Sequence, residues 1–179
     1  MGKFVALLRG INVSGRNKVP MAELRALAEG LGLVDIKTYI QSGNLIFSAD
    51  AEAAPLEAKL ETAIADRFGI RIPVIVRSAS QWPAYAAGNP FPDAAEAEPN
   101  RLMLMLSKAP LIADAENRLQ ERARNGERVK QVEDALWVHF PSGAGTSTLS
   151  PSLIDRFVGS PVTARNWRTV VKLRDMLAE

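Results

Sequence analysis

Hydrophobic residues in the first half of the chain change between the spacing typical of strands and the spacing typical of helices. The short apolar run 4–8 predicts a buried strand, and the segment 36–47 predicts a β-hairpin that turns at a Ser-Gly pair. Two segments with apolar residues at helical spacing, 20–31 and 55–68, are followed by glycine, and a last strand is predicted at 70–76. This order of strand, helix, two strands, helix and strand is typical of the ferredoxin-like arrangement.

The proline at position 73 agrees with this order. Proline has no N–H group to donate to a neighbouring strand, so within a sheet it is found mainly at an edge. The last strand of a ferredoxin-like sheet is an edge strand, and Pro73 falls in the segment that is predicted to form it.

The second half of the chain predicts a similar order with one difference. A strand at 102–106, a helix at 110–124 and a hairpin at 129–140 are followed by two segments of helical spacing, 151–158 and 166–177. A helix therefore takes the place of the final strand. We predict an α+β fold of two ferredoxin-like (split βαβ) subdomains with antiparallel sheets, the second of which ends in extra C-terminal helices.

Prolines and acidic residues are concentrated between the two halves. This composition is typical of a connector, because proline interrupts helices and strands and charged residues favour solvent. We therefore predict a first subdomain at residues 1–88, a connector at 89–100 and a second subdomain at 101–179.

The composition excludes several classes of protein. Of the 179 residues, 47% are hydrophobic and 23% are charged, which excludes a wholly disordered chain. The absence of Cys and the presence of a single His exclude disulfides, thiolate catalysis and metal sites built on Cys or on several His residues. No apolar run reaches the roughly 18 residues of a membrane helix, and the N-terminal segment lacks the features of a signal peptide. We expect a cytoplasmic protein that has no metal or cofactor and binds no membrane.

Charge is nearly balanced over the whole chain but unevenly distributed along it. The 22 Lys and Arg residues and 20 Asp and Glu residues give a net charge of +2. The loop 9–18 contains three cations and no acidic residue, and it precedes the N-terminus of the first predicted helix. In a ferredoxin-like sheet the hairpin turn at 42–44 lies at the same end of the sheet.

Uncompensated cations, glycines and a helix N-terminus together favour the binding of a phosphate or a carboxylate. The alternative is a solvated loop without a ligand. The candidate ligand-binding residues on these two segments are Arg9, Asn12, Arg16, Lys18, Ser42 and Asn44.

A second candidate segment lies near the C-terminus. Arg165, Asn166 and Trp167 fall at the predicted start of the last helix, where a guanidinium and backbone N–H groups are able to bind an anion. Trp167 is able to stack on a base or a sugar, although the sequence favours a core position beside Val170 and Val171. These residues either close the first site from the other half of the chain or form a separate surface.

Several segments of the chain resemble a known family. ALLRGINVSGRNKV with MAELR, TYIQSGNLIF, NPFP and TARNWRTVVKL occur in this order and are similar to segments of the bacterial domain-of-unknown-function family 1697. The resemblance extends from Phe4 to Leu173 and implies an α+β protein with two ferredoxin-like halves, but no particular activity. The family tends to carry a basic residue in the glycine loop before the penultimate helix. Thr146 and Thr148 stand in that loop here, which implies weaker anion binding at this loop or none.

Four functions fit these observations. The first is binding of a phosphate-bearing ligand, a nucleotide or a phosphorylated metabolite, at the basic loop. The second is weak binding of single-stranded nucleic acid, against which the net charge of +2 and the aromatic content of 6% argue. The third is an enzyme that acts on a phosphorylated small molecule, although the only histidine, His139, is predicted to have a structural role. The fourth is a structural or oligomer-forming protein without a ligand.

Overall fold

Two four-stranded antiparallel sheets form the framework of the protein, which a computed structural model describes over residues 1–179. The chain divides into two units. The first unit comprises residues 1–83 together with 175–179, and the second comprises residues 84–174. Each unit contains one of the sheets.

The first unit has the order of elements that the sequence predicts. Its elements are β1 (Gly2–Leu8), α1 (Met21–Gly30), β2 (Val34–Tyr39), β3 (Asn44–Ala49), α2 (Ala53–Phe68) and β4 (Val74–Ser78). The strands lie in the order β2-β3-β1-β4, which is the strand order of the ferredoxin-like arrangement. The edge position predicted for the last strand is confirmed, with Pro73 directly before β4 rather than within it.

Alternation along the central strands of the first sheet places one set of apolar side chains against the two helices. Phe4 and Leu8 of β1 share a buried core with Leu24 of α1 and Leu60 of α2. The rings of Phe4 and Phe47 stack with their centroids 5.9 Å apart. Complete burial of side chains of this size contributes roughly 1.5–3 kcal/mol each. This packing fixes β1, and therefore the start of the loop that follows it.

The chain between the two sheets contains short helices rather than an irregular connector alone. They are α3 (Trp82–Ala87) and α4 (Pro92–Ala97), followed by a single 3-10 turn at Pro99–Arg101. Proline is favoured in the first turn of a helix because its missing N–H has no intrahelical acceptor there, and Pro92 begins α4.

The second unit repeats the arrangement of the first. Its elements are β5 (Leu102–Ser107), α5 (Ala115–Arg122), β6 (Arg128–Val132), β7 (Ala135–His139), α6 (Pro151–Val158), β8 (Val162–Asn166) and α7 (Trp167–Ala178). The strands lie in the order β6-β7-β5-β8. The helix predicted at 151–158 is confirmed as α6, and the Ser150 side chain caps it by accepting a hydrogen bond from the N–H of Leu153.

The prediction of a helix in place of the last strand is wrong. β8 pairs with β5 and completes the second sheet, and one helix, α7, follows it. Thr163 and Arg165 are buried whereas Ala164 between them is exposed. The polar residues of this strand therefore point inward, which removes the hydrophobic alternation that identifies a strand in a sequence.

Helix α5 is shorter than the sequence predicts. Asp114 has a φ of +64°, in the left-handed region, and the helix begins only at the next residue. No helix of the protein is at once long enough and apolar enough to cross a membrane.

Candidate functional site

The loop between β1 and α1 contains a small hairpin. A β-bridge joins Val13 to Arg16, and Ser14 and Gly15 between them have φ values of 51° and 74°. Two successive residues with positive φ are typical of the tight type I′ turn. Both Val13 and Arg16 are exposed on this hairpin.

Asn12 ties this loop to the turn between β2 and β3. Its Nδ2 donates to the carbonyl oxygens of Val19 (3.0 Å) and Gln41 (2.8 Å), and its Oδ1 accepts from the N–H of Val19 (2.9 Å). In addition, the N–H of Leu8 donates to the carbonyl oxygen of Gly43 (2.9 Å). The predicted proximity of the loop and the turn is therefore confirmed.

An open groove of about 740 Å³ is lined by this loop, by the β2–β3 turn and by the first residues of α1. Lys18 and Arg25 are its two cations, and no carboxylate belongs to its lining. The volume falls in the range of about 300–1,000 Å³ that is usual for small-molecule sites. The lining residues are Asn12, Gly15, Lys18, Pro20, Met21, Ala22, Arg25 and Gln41.

The N-terminus of α1 lies at this groove. Pro20 is at the cap position, and no side chain accepts a hydrogen bond from the N–H groups of the first turn. The first N–H groups of a helix have no intrahelical acceptor, and together with the helix dipole they favour an anion. Glu23 is the acidic residue of this turn, and its carboxylate pairs with Arg67 (2.9 Å) instead of lining the groove.

Arg25 is a groove residue that was not predicted from the sequence. Its Nη1 donates to Thr38 Oγ1 at 2.5 Å, which holds the guanidinium beside β2. Met21 and Arg25 are one helical turn apart, so they lie on the same face of α1. The position of Arg25 one turn after Met21, in the first half of the predicted helix, is the signal that would have identified Arg25.

The other residues predicted for this site do not line the groove. Asn44 is buried, and its Nδ2 donates to Ser42 Oγ (3.2 Å) and to a backbone carbonyl, so both residues shape the β2–β3 turn. The backbone N–H of Arg9 donates to the carbonyl oxygen of Pro73 (3.1 Å), beside edge strand β4. Arg16 is exposed on the hairpin. Of the predicted residues, Asn12 and Lys18 are therefore the two that the groove brings together.

The C-terminal candidates Arg165, Asn166 and Trp167 belong to the second unit. Arg165 is buried on β8, and its Nη1 donates to Thr163 Oγ1 and to the carbonyl oxygen of Ala164, both at 2.8 Å. Burial lowers the pKa of Arg165 to about 10, so the guanidinium remains charged at neutral pH.

Asn166 ends strand β8, and Trp167 begins helix α7. Asn166 Oδ1 accepts a hydrogen bond from the N–H of Thr169 (3.0 Å), so Asn166 caps the N-terminus of α7. The rings of Trp167 and Trp137 lie with their centroids 5.9 Å apart and their planes tilted by 52°. This contact supports a packing role for Trp167 rather than base stacking.

The glycine loop at 143–148 is anchored to the end of α5 and to the residue before β6. Thr148 Oγ1 donates to the carbonyl oxygen of Arg122 (2.7 Å), and Ser147 Oγ donates to Glu127 Oε1 (2.8 Å). The carboxylate of Glu127 is buried beside the loop. A buried negative charge disfavours an anion there, which agrees with Thr at positions 146 and 148.

The only histidine is held on both sides of its ring. Arg128 Nε and Nη2 lie 3.3 Å and 3.1 Å from His139 Nδ1, and Glu98 Oε1 lies 3.1 Å from His139 Nε2. Arginine has only donors, so Nδ1 accepts and Nε2 carries the proton. Both ring nitrogens are thus occupied, which supports the structural role predicted for His139.

The fold and the groove define the class of the protein: an α+β protein with two four-stranded antiparallel sheets, each with helices, and an open basic groove in the first unit. The chain belongs to the family described as "Protein of unknown function (DUF1697)", whose profile matches residues 1–137. Among solved structures, the conserved bacterial protein SP0830 from Streptococcus pneumoniae is similar, with a TM-score of 0.74 and 27% sequence identity over 98% of each chain. No curated protein matches the chain.

Proposed function

We propose that this is a cytoplasmic protein that binds a phosphate-bearing ligand, a nucleotide or a phosphorylated metabolite, in the groove at the N-terminus of α1. The main support is the convergence of Lys18, Arg25 and an uncapped helix N-terminus on one groove without a carboxylate. Each of these three features attracts an anion, and a phosphate group is able to use all three together.

The two cations have different roles in this proposal. Arg25 is held by Thr38 and presents a planar guanidinium that suits two oxygens of one phosphate. Lys18 is exposed and supplies a flexible point charge. Asn12 uses its amide to brace the loop, so it positions the groove rather than binding the ligand directly.

The rest of the groove suits the part of the ligand that carries no phosphate. Pro20, Met21 and Ala22 contribute apolar surface, and Gln41 contributes a polar side chain. A phosphate joined to a sugar or to a base combines a charged end with such a partly apolar body.

Titration calorimetry with AMP, glucose 6-phosphate and inorganic phosphate tests the proposal. A hydrogen bond to a charged group contributes about 1.5–3 kcal/mol, so we expect Lys18→Met and Arg25→Met each to weaken binding by about tenfold or more. Arg9→Ala and Arg16→Ala should have smaller effects, because neither residue lines the groove.

Lys3→Met is the matched control for these variants. It removes the same charge from the other end of β1, so its affinity should equal that of the parent protein. If Lys18→Met and Arg25→Met bind all three probes as the parent protein does, the proposed function is wrong.

A further inference from the structure

Three arginines of the second unit converge on one aromatic ring. The guanidinium carbons of Arg118, Arg122 and Arg156 lie 4.5, 5.3 and 5.2 Å from the centroid of the Phe157 ring. Arg118 and Arg122 are one turn apart on α5, and Arg156 lies on α6. All three charges therefore fall within roughly 10 Å of one another, about the Debye length at 0.1 M salt.

No carboxylate neutralises this cluster, because none of the three arginine side chains forms an ion pair or a hydrogen bond within the protein. Two of the neighbouring acidic residues have other partners. Glu116 pairs with Lys130 (3.7 Å), and Asp155 Oδ1 accepts from the N–H of Val162 (3.0 Å). Glu121, which also lies on α5, forms no ion pair. None of the three arginines is thus paired with a carboxylate.

The three guanidinium groups contact the Phe157 ring by cation–π interaction, which does not use their N–H donors. Phe157 is 4% exposed and belongs to the apolar core of the second unit, so its position is fixed. A cation near an aromatic ring is attracted by the ring electrons, whereas the N–H donors of a guanidinium lie in its own plane. The three arginines are exposed, so these donors remain accessible to a ligand.

We propose that Arg118, Arg122 and Arg156 form a second anion-binding site, which takes a chain of linked phosphate groups. One guanidinium binds two oxygens of a phosphate. The three guanidinium groups carry three positive charges, which is more than the roughly 1.5–2 negative charges of a single phosphate. A small polyphosphate and the backbone of a single-stranded nucleic acid share this chemistry. The site uses residues of the second unit only, so it does not depend on the groove at α1.

Titration calorimetry of the whole protein with tripolyphosphate at low salt tests this site. The measurements are made in protein that carries Lys18→Met and Arg25→Met, so that the groove does not contribute. We expect tripolyphosphate to bind at least tenfold more tightly than inorganic phosphate. Arg118→Gln and Arg156→Gln should each weaken tripolyphosphate binding about tenfold, and Arg118→Lys should weaken it less because the charge is kept.

Arg124→Gln is the matched control. Arg124 is also exposed near the end of α5, but its Nη1 donates to the carbonyl oxygens of Glu121 and Ala123. This variant should bind tripolyphosphate as the parent does. If the double variant Arg118→Gln/Arg156→Gln keeps full binding, or if Arg124→Gln weakens binding equally, the binding is not specific to the cluster and the proposal is overturned.

A 12-nucleotide dT strand distinguishes the two sources of linked phosphates. Binding of both tripolyphosphate and the strand, lost together in Arg118→Gln/Arg156→Gln, assigns the site to a nucleic-acid backbone. Binding of tripolyphosphate alone, lost in the same variant, assigns it to a small polyphosphate ligand. Binding of neither overturns the proposal.

Discussion

At the scale of single residues, Glu127 is a buried carboxylate that orders two loops of the second unit. Burial by itself raises the pKa of Glu127. Hydrogen bonds from Ser147 Oγ (2.8 Å) and from the N–H groups of Arg124 (3.1 Å) and Asn125 (2.8 Å) outweigh burial, so the pKa of Glu127 lies below its ordinary value of 4.5. The charged form is therefore the one that the folded protein stabilises.

Glu127→Gln should lower the free energy of unfolding by about 1–3 kcal/mol at pH 7, because the amide cannot replace all three hydrogen bonds to the carboxylate. Since the folded-state pKa of Glu127 is the lower one, the unfolded chain takes up the proton first as the pH falls. The stabilisation is present above the unfolded value of 4.5 and is lost as the pH falls through the folded value. Urea unfolding of the parent protein and of Glu127→Gln at pH 7 and pH 3 measures the loss of this stabilisation. A difference between parent and variant that is as large at pH 3 as at pH 7 would contradict the assignment.

The sequence predicted which end of the sheet carries the groove, but it predicted only some of the residues that line the groove. Topology alone places the loop and the β2–β3 turn together, and Asn12 and Lys18 were predicted on that basis. Which side chains point into the groove depends on backbone conformation. Asn44 is buried and bonded to its own turn, whereas Arg25, one helical turn beyond the loop, lines the groove.

At the scale of elements, the β2–β3 turn is packed directly on the end of β1. Gly43 has a φ of +90°, and a Cβ atom at this position would lie 2.7 Å from Ile11 Cδ1 and 2.8 Å from Leu8 Cβ. The turn therefore needs glycine both for its backbone conformation and for the close approach of the two segments.

Gly43→Ala should lower the free energy of unfolding by at least about 2 kcal/mol, since it combines left-handed strain with overpacking. Gly10→Ala is the matched control, because Gly10 has a φ of +66° and no atom within 4 Å of its added Cβ. Urea unfolding of both variants separates the two causes. Equal losses of stability would show that the close approach of Gly43 to β1 is unimportant.

The elements themselves were predictable wherever hydrophobic residues point inward. The first unit meets that condition, and its six elements appear in the predicted order. Strand β8 does not, because Thr163 and Arg165 are the buried residues and Ala164 is exposed. Its partner is β5, which is distant in sequence. The strand conformation of β8 therefore depends on pairing with β5, which the residues of β8 alone do not reveal.

At the scale of the whole molecule, the net charge of +2 conceals local concentrations of charge. Two acidic residues of the segment between the sheets are paired within the second unit: Asp93 with Arg128 (2.9 Å), and Glu98 with Arg101 (3.1 Å). The hydrogen bond from Arg128 outweighs the other influences on Asp93 and lowers its pKa. The groove lining and the arginine cluster, by contrast, have no carboxylate partner. Attraction of anions should therefore be local rather than spread over the surface.

The salt dependence of binding to a single-stranded dT oligonucleotide measures how local this attraction is. Each phosphate neutralised on a single strand contributes about −0.7 to the slope of log K against log salt concentration. If Arg118, Arg122 and Arg156 make the contacts, the slope is about −2, and Arg118→Gln reduces its magnitude by about 0.7. A much steeper slope that Arg118→Gln leaves unchanged would place the contacts on another surface. Absence of binding at low salt would remove nucleic acid as a ligand, and the arginine cluster would then be confined to small polyphosphates.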